Sequence, residues 1–151
     1  MKNPIKLFKS IFKIEDHPEK IAKGFAMGSF IGMMPIPGFQ VLVSLAFASL
    51  FKLNKKAACV AVFNTNLVTG LFIFSFNYWL GKKILGIESG FTFPEKLDIH
   101  FISTIFKAGS EVYISLIVGG IVTGIVFAII AYYILKNILS RKLKREYSEL
   151  S

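Results

Sequence analysis

Three apolar runs organise the chain: Gly24 to Phe51, Ala57 to Leu80 and Val112 to Leu135, none holding an Asp, Glu, Lys or Arg. Each is longer than the roughly 20 residues that carry an α-helix across a bilayer's hydrocarbon core. The first run is broken near its middle by Pro35, Pro37 and Gly38. An interior proline removes a backbone donor and clashes with the preceding turn, and the adjacent glycine makes a sharp turn easy. The pattern therefore predicts two half-helices, about 24–34 and 38–51, joined at Pro35-Ile36-Pro37-Gly38. The other two runs read as uninterrupted transmembrane helices, 57–80 and 112–135. Two amphipathic stretches flank them. In 1–15, Lys2, Lys6, Lys9 and Lys13 share one helical face while Ile5, Phe8, Ile11 and Phe12 take the other, as in a helix lying in the headgroup plane. Pro94 opens a second amphipathic helix, 94–108, with Leu97, Phe101 and Ile105 on one side. Asp16-His17-Pro18-Glu19 reads as a helix start with Asp16 as cap, and a basic tail fills 136–151. The expectation is one all-α membrane domain, with residues 17–51 forming a helix and hairpin.

Charge chooses between a kinked span and a re-entrant hairpin at 24–51. Short cytoplasmic loops carry the excess of Lys and Arg. The segments before Gly24, at Lys52-Leu53-Asn54-Lys55-Lys56 and after Leu135 are all basic, whereas four lysines and four acids balance in 81–111. A single crossing at 24–51 would place one basic segment outside. A hairpin that enters and leaves by one face keeps all three inside, so multi-pass insertion in the inner membrane with cytoplasmic N- and C-termini is expected.

Composition fits that picture. With 54% apolar residues, a formal net charge of +9 and uncharged runs of this length, the chain falls outside the soluble class. The basic residues flank apolar runs instead of forming an aromatic-interleaved patch, which points to anionic membrane lipids as partners and away from nucleic acid. Cys59 is the one cysteine, and neither His17 nor His100 has a second ligand at helical spacing. No cofactor, metal or catalytic set is therefore expected.

The remaining polar positions define a candidate site. Asn66 and Thr69 lie roughly 15–20 Å along the helix from Lys56, about as deep as the hairpin tip. Pro35, Pro37, Gly38, Gln40, Asn66 and Thr69 form the expected substrate-binding set. The alternative for Asn66 and Thr69 is to satisfy carbonyls freed by the prolines, and the two roles are compatible. Gly24, Gly28 and Gly32, and again Gly120 and Gly124, recur at four-residue spacing and suit close helix packing. The first set is expected to pack between subunits of a homo-oligomer.

Pro18-Glu19-Lys20-Ile21-Ala22, the glycines at 24, 28 and 32, and Pro35-Ile36-Pro37-Gly38-Phe39-Gln40 resemble the bacterial membrane family catalogued as domain of unknown function 2062. Asn54, Asn66, Thr69 and Gly81 match further positions of its pattern, over about residues 17–85. Leu67 stands where the family's Asn-Pro-x-Thr motif has proline, so no kink is expected there. The resemblance implies membrane placement. Because some members are joined to glycosyltransferases, it also suggests envelope lipid chemistry. A fainter likeness is to half of a DedA-type lipid transporter, although Gln40 stands near the position of the arginine such proteins carry. Two functions follow as expectations. One is non-enzymatic translocation of an anionic lipid or small solute at the hairpin tip. The other is a membrane scaffold or partner subunit for a cell-envelope enzyme.

Overall fold

The computed structural model describes residues 16–36, 38–63, 67–88 and 99–150. Among them are five α-helices and no strand: α1 (Pro18–Gly32), α2 (Gln40–Leu50), α3 (Lys55–Val62), α4 (Leu67–Leu85) and α5 (Ile99–Leu150). The expected interfacial helix at 1–15, the residues 94–98, Pro37 and Asn66 lie outside the described residues.

The Pro-Gly break makes α1 and α2 an antiparallel hairpin. Gly38 adopts a φ of +83°, which only glycine takes at no steric cost, and the chain reverses there. The open end of the hairpin is closed by backbone: the Asn54 N–H donates to the Lys20 carbonyl at 3.3 Å. α2 ends in a full Schellman motif, with Leu53 N–H donating to Ala48 O and Lys52 N–H to Ser49 O. Lys52 occupies the left-handed position at φ 53°, where glycine is usual. The start of α1 differs from the expected cap. His17 is the N-cap, and Asp16 accepts from the His17 N–H and pairs with Lys20. Glu19, in the first turn, pairs with Lys23 at 2.9 Å.

The run 57–80 is two helices rather than one. α3 stops at Val62, and α4 begins at Leu67. Asn and Thr offer the backbone alternative hydrogen bonds and so disfavour helix interiors, and Asn64-Thr65-Asn66 supplies three in a row. A break therefore occurs without the family's proline. Both pieces run in the same direction as α1. Gly24 faces the backbone of Asn54 and Gly28 that of Ala58, so α3 is parallel to α1. α4 is antiparallel to α5, because Gly81 meets Ser115 and Gly119 meets Asn77. α1 is antiparallel to α5 too, with Phe30 at Gly124 and Met33 at Gly120.

At these contacts a Cβ on Gly24, Gly28, Gly81 or Gly119 would overlap a backbone carbonyl of the facing helix. The glycines are thus spent on close helix contact inside one chain. Gly24 and Gly28, expected between subunits, hold α1 on α3. α4 runs past the expected end at residue 80 to Leu85 and is closed by Gly86, whose φ is +66°.

α5 also departs from expectation. Residues 99–108 of the expected amphipathic helix, the span and the tail as far as Leu150 form one continuous helix of 52 residues, roughly 78 Å long. No proline interrupts 99–150, and the Gly109-Ser110 pair does not break it. The part Gly109–Lys144 is long and apolar enough to cross a membrane, and among the described residues it alone meets that measure. Only 28% of its most apolar window is buried, whereas the core helix of a soluble protein would be mostly buried.

Two ends emerge. At the basal end lie the start of α1, the α2–α3 turn and residues 136–144 of α5, knitted by Ile21, Ala22, Ala57, Val60, Leu135 and Leu139. At the distal end lie the last turn of α4 and the part of α5 near Ser115. The described residues of the three basic segments thereby gather at one end of the molecule.

Candidate functional site at the hairpin break

A helix that stops inside an apolar body leaves carbonyls that need donors. Two side-chain amides supply them. Gln40, the first residue of α2, reaches back so that Nε2 donates to Met34 O at 2.8 Å and Gly32 O at 3.3 Å. Asn77 of α4 donates from Nδ2 to Met33 O at 3.1 Å and is fully buried. Because a carbonyl only accepts, this contact fixes the amide's orientation and turns Oδ1 toward α5. There the Thr123 hydroxyl meets it at 2.7 Å, with the Gly119 and Gly120 carbonyls as secondary neighbours at 3.0 and 3.3 Å. The break in α1 is stitched in this way to α2, α4 and α5. Gly120 permits the approach: a Cβ there would lie 2.9 Å from Met33 O.

The expected site residues do not all converge on this point. Pro35 is buried at the break, and Gln40 clasps it. Gly38 is exposed at the turn beside Phe39, which is 66% exposed. Phe39 is also the N-cap of α2 and gives it no side-chain cap. Thr69 is exposed and lies eight residues before Asn77, roughly 12 Å along α4 toward the basal end. Pro37 and Asn66 lie outside the described residues. Gly32 is buried, with its carbonyl accepting from Gln40. Gly124 receives the Phe30 ring.

Asn77 and Thr123 are the partners that sequence reasoning passed over. The signal for Asn77 was its isolation: an amide among Phe76, Tyr78 and Trp79 must find a buried partner or pay for its desolvation. Two further polar clasps were as cryptic. Ser44 donates to Ala58 O at 3.1 Å, joining α2 to α3, and Asn54 caps α3 by accepting from Ala57 N at 2.8 Å.

Two clefts open toward the basal end. A polar one of about 860 Å³ lies between α1 and α5, lined by His17, Glu19, Lys136, Ser140 and Lys144 among others. An apolar one of about 650 Å³ is walled by Phe30, Phe47, Phe51, Ala128 and Tyr132, with Lys23 as its charged residue. The hydrogen bond from Lys23 holds the Glu19 carboxyl below its ordinary range, helped by the charges of Lys23 and then Lys136. Among the described residues no three His, Cys, Asp or Glu side chains come together as a metal site.

The sequence pattern of one bacterial family, described as "uncharacterized protein conserved in bacteria (DUF2062)", matches residues 4–148. The chain belongs to this family. The DUF2062 match reaches beyond the motifs of 17–85 and takes in all five helices up to the last turns of α5. No curated protein and no solved structure matches the chain. The fainter likeness to DedA-type transporters therefore has no support.

Proposed function

We propose that this DUF2062 protein is a multi-pass inner-membrane protein that moves an anionic lipid or small solute past the tip of a re-entrant hairpin, without catalysis. The supporting observation is the stitched break. Its carbonyls are satisfied by Gln40 and Asn77, while the uncapped start of α2 stands open beside Gly38 and Phe39. Along α5 that tip sits at Gly120, roughly 22 Å from Leu135 and 12 Å from Val112, hence deep in an apolar belt. Irregular backbone at membrane depth needs protein or a water-filled cavity around it, and broken helices in transporters turn their N-termini on anionic groups. A second copy of the chain would complete the enclosure, which makes a homo-oligomer part of the reading.

Reconstitution tests it. Vesicles carrying a fluorescent anionic phospholipid are treated with a membrane-impermeant quencher. Protein-containing vesicles should lose inner-leaflet fluorescence faster than empty ones, and the Pro35→Ala/Pro37→Ala/Gly38→Ala variant should revert to the empty rate. Equal rates with and without protein would remove translocation.

One observation favours the scaffold reading instead. α5 continues to Leu150, roughly 22 Å beyond Leu135. A rigid basic arm of that length would suit an envelope enzyme as docking partner.

A further inference from the structure

The two basal clefts share a boundary, and two bonded pairs straddle it. Glu19 lines the polar cleft and pairs with Lys23, which lines the apolar one. Lys136 lines the polar cleft and donates to the Tyr132 hydroxyl at 3.1 Å, while the Tyr132 side chain walls the apolar groove. Lys136 also lies over that ring, 5.3 Å from its centroid. The apolar groove runs from this boundary to Phe30, which sits at Gly124. From Lys136 to Gly124 is roughly 18 Å along α5. One leaflet of the hydrocarbon core is about 15 Å, half of the full ~30 Å.

We propose that the joined clefts hold one phospholipid of the basal leaflet, its phosphate between Lys23 and Lys136 and an acyl chain along Phe30, Phe47 and Phe51. This rests on the membrane placement proposed above and names the lipid class. Charge selects the occupant. Lys23 and Lys136 both bear on Glu19, the one carboxylate among the described residues that line the two clefts, and the wider basal end is basic. A second copy in parallel would bring another basic end. The chain's own segment 1–15 carries Lys2, Lys6, Lys9 and Lys13 against Glu15 alone. Both are repelled where a lipid phosphate is attracted.

Retention of lipid by the full-length chain, measured by native mass spectrometry from detergent, tests the site. Phosphatidylglycerol is compared with phosphatidylcholine. The chain should retain one phosphatidylglycerol in preference to phosphatidylcholine. The Lys23→Gln/Lys136→Gln variant should lose roughly thirtyfold in phosphatidylglycerol affinity, from two basic groups at the surface. Ala128→Trp fills the groove and should abolish retention of either lipid. Both variants are first shown to keep the parent's helical content and melting behaviour. Equal retention of the two lipids, unchanged retention in both variants, or binding that needs prior removal of residues 1–15 would each overturn the proposal. Specific retention without lipid movement in vesicles would uphold the site and sink translocation. Movement without retention would do the opposite.

Discussion

At the scale of single residues, Asn77 is the position on which most depends. Its amide donates to Met33 O and accepts from Thr123, so one side chain joins the hairpin break to the longest helix. Asn77→Leu leaves the buried Met33 carbonyl without its donor, at a cost of about 1–3 kcal/mol, while the Thr123 hydroxyl can turn to the Gly119 and Gly120 carbonyls. Thr123→Val should cost less, since Asn77 keeps its bond to Met33 O. The two losses should not add, because each variant abolishes the same bond. Melting of the two single variants and the double variant in detergent checks this. Additive losses would mean that the Asn77–Thr123 contact carries no energy. Gln40 differs in kind, since its two bonds stay within the hairpin. The donor to Met33 O is Asn77, and Thr69 lies nearer the basal end, for a geometric reason. Once 57–80 is interrupted, counting helix rise from Lys56 no longer gives the depth of residues beyond the break.

At the scale of helices, contact is made by glycine rather than by large side chains. In a bilayer, lipid tails are as apolar as leucine, and close backbone approach supplies the association energy. Gly28→Leu should therefore separate α1 from α3 and lower stability or yield within a single chain. Gly109→Leu, with open space around it, should be tolerated. Expression and melting compared for the two variants check the contrast. A Gly28→Leu chain that folds normally but loses only self-association would restore the intersubunit role first expected of that glycine. The hairpin was legible in the sequence because Pro35 and Gly38 have few other uses inside an apolar run. The second break was not. Apolar residues continue on both sides of Asn64-Thr65-Asn66, and side-chain competition for the backbone is a weaker mark than proline. The continuity of α5 was hidden for the converse reason. Changes of polarity at Gly109 and Lys136 read as ends, yet a helix without proline crosses from apolar to polar surroundings with its backbone bonds intact.

At the scale of the molecule, the helix directions carry a prediction about sidedness. α1 leaves the basal end, α2 returns to it, α3 and α4 together lead away, and α5 comes back. Lys20 and Lys23, then Lys52, Lys55 and Lys56, then Lys136, Arg141, Lys142 and Lys144 consequently share one end, against Asp16 and Glu19. The distal end has Lys82 and Lys83 balanced by Glu88 and Glu111. The rule that Lys and Arg of short loops stay in the cytoplasm predicts that the basal end faces inward. With Cys59 replaced by alanine, single cysteines in place of Lys55 and Ser148 should react with an impermeant thiol reagent only after the cells are opened. A cysteine in place of Glu88 should react in intact cells. Labelling of position 55 from outside would place the α2–α3 turn across the membrane from the C-terminal tail. The bonded pair of Asn54 N–H and Lys20 O forbids that separation unless the whole hairpin crosses with it. Such a result would also part Ala57 and Val60 from Leu135 and Leu139 and so overturn the arrangement of the basal end. The expected pattern, with 55 and 148 inside and 88 outside, leaves the break at Pro35–Gly38 facing the membrane interior from the cytoplasmic side, where the basal clefts also open.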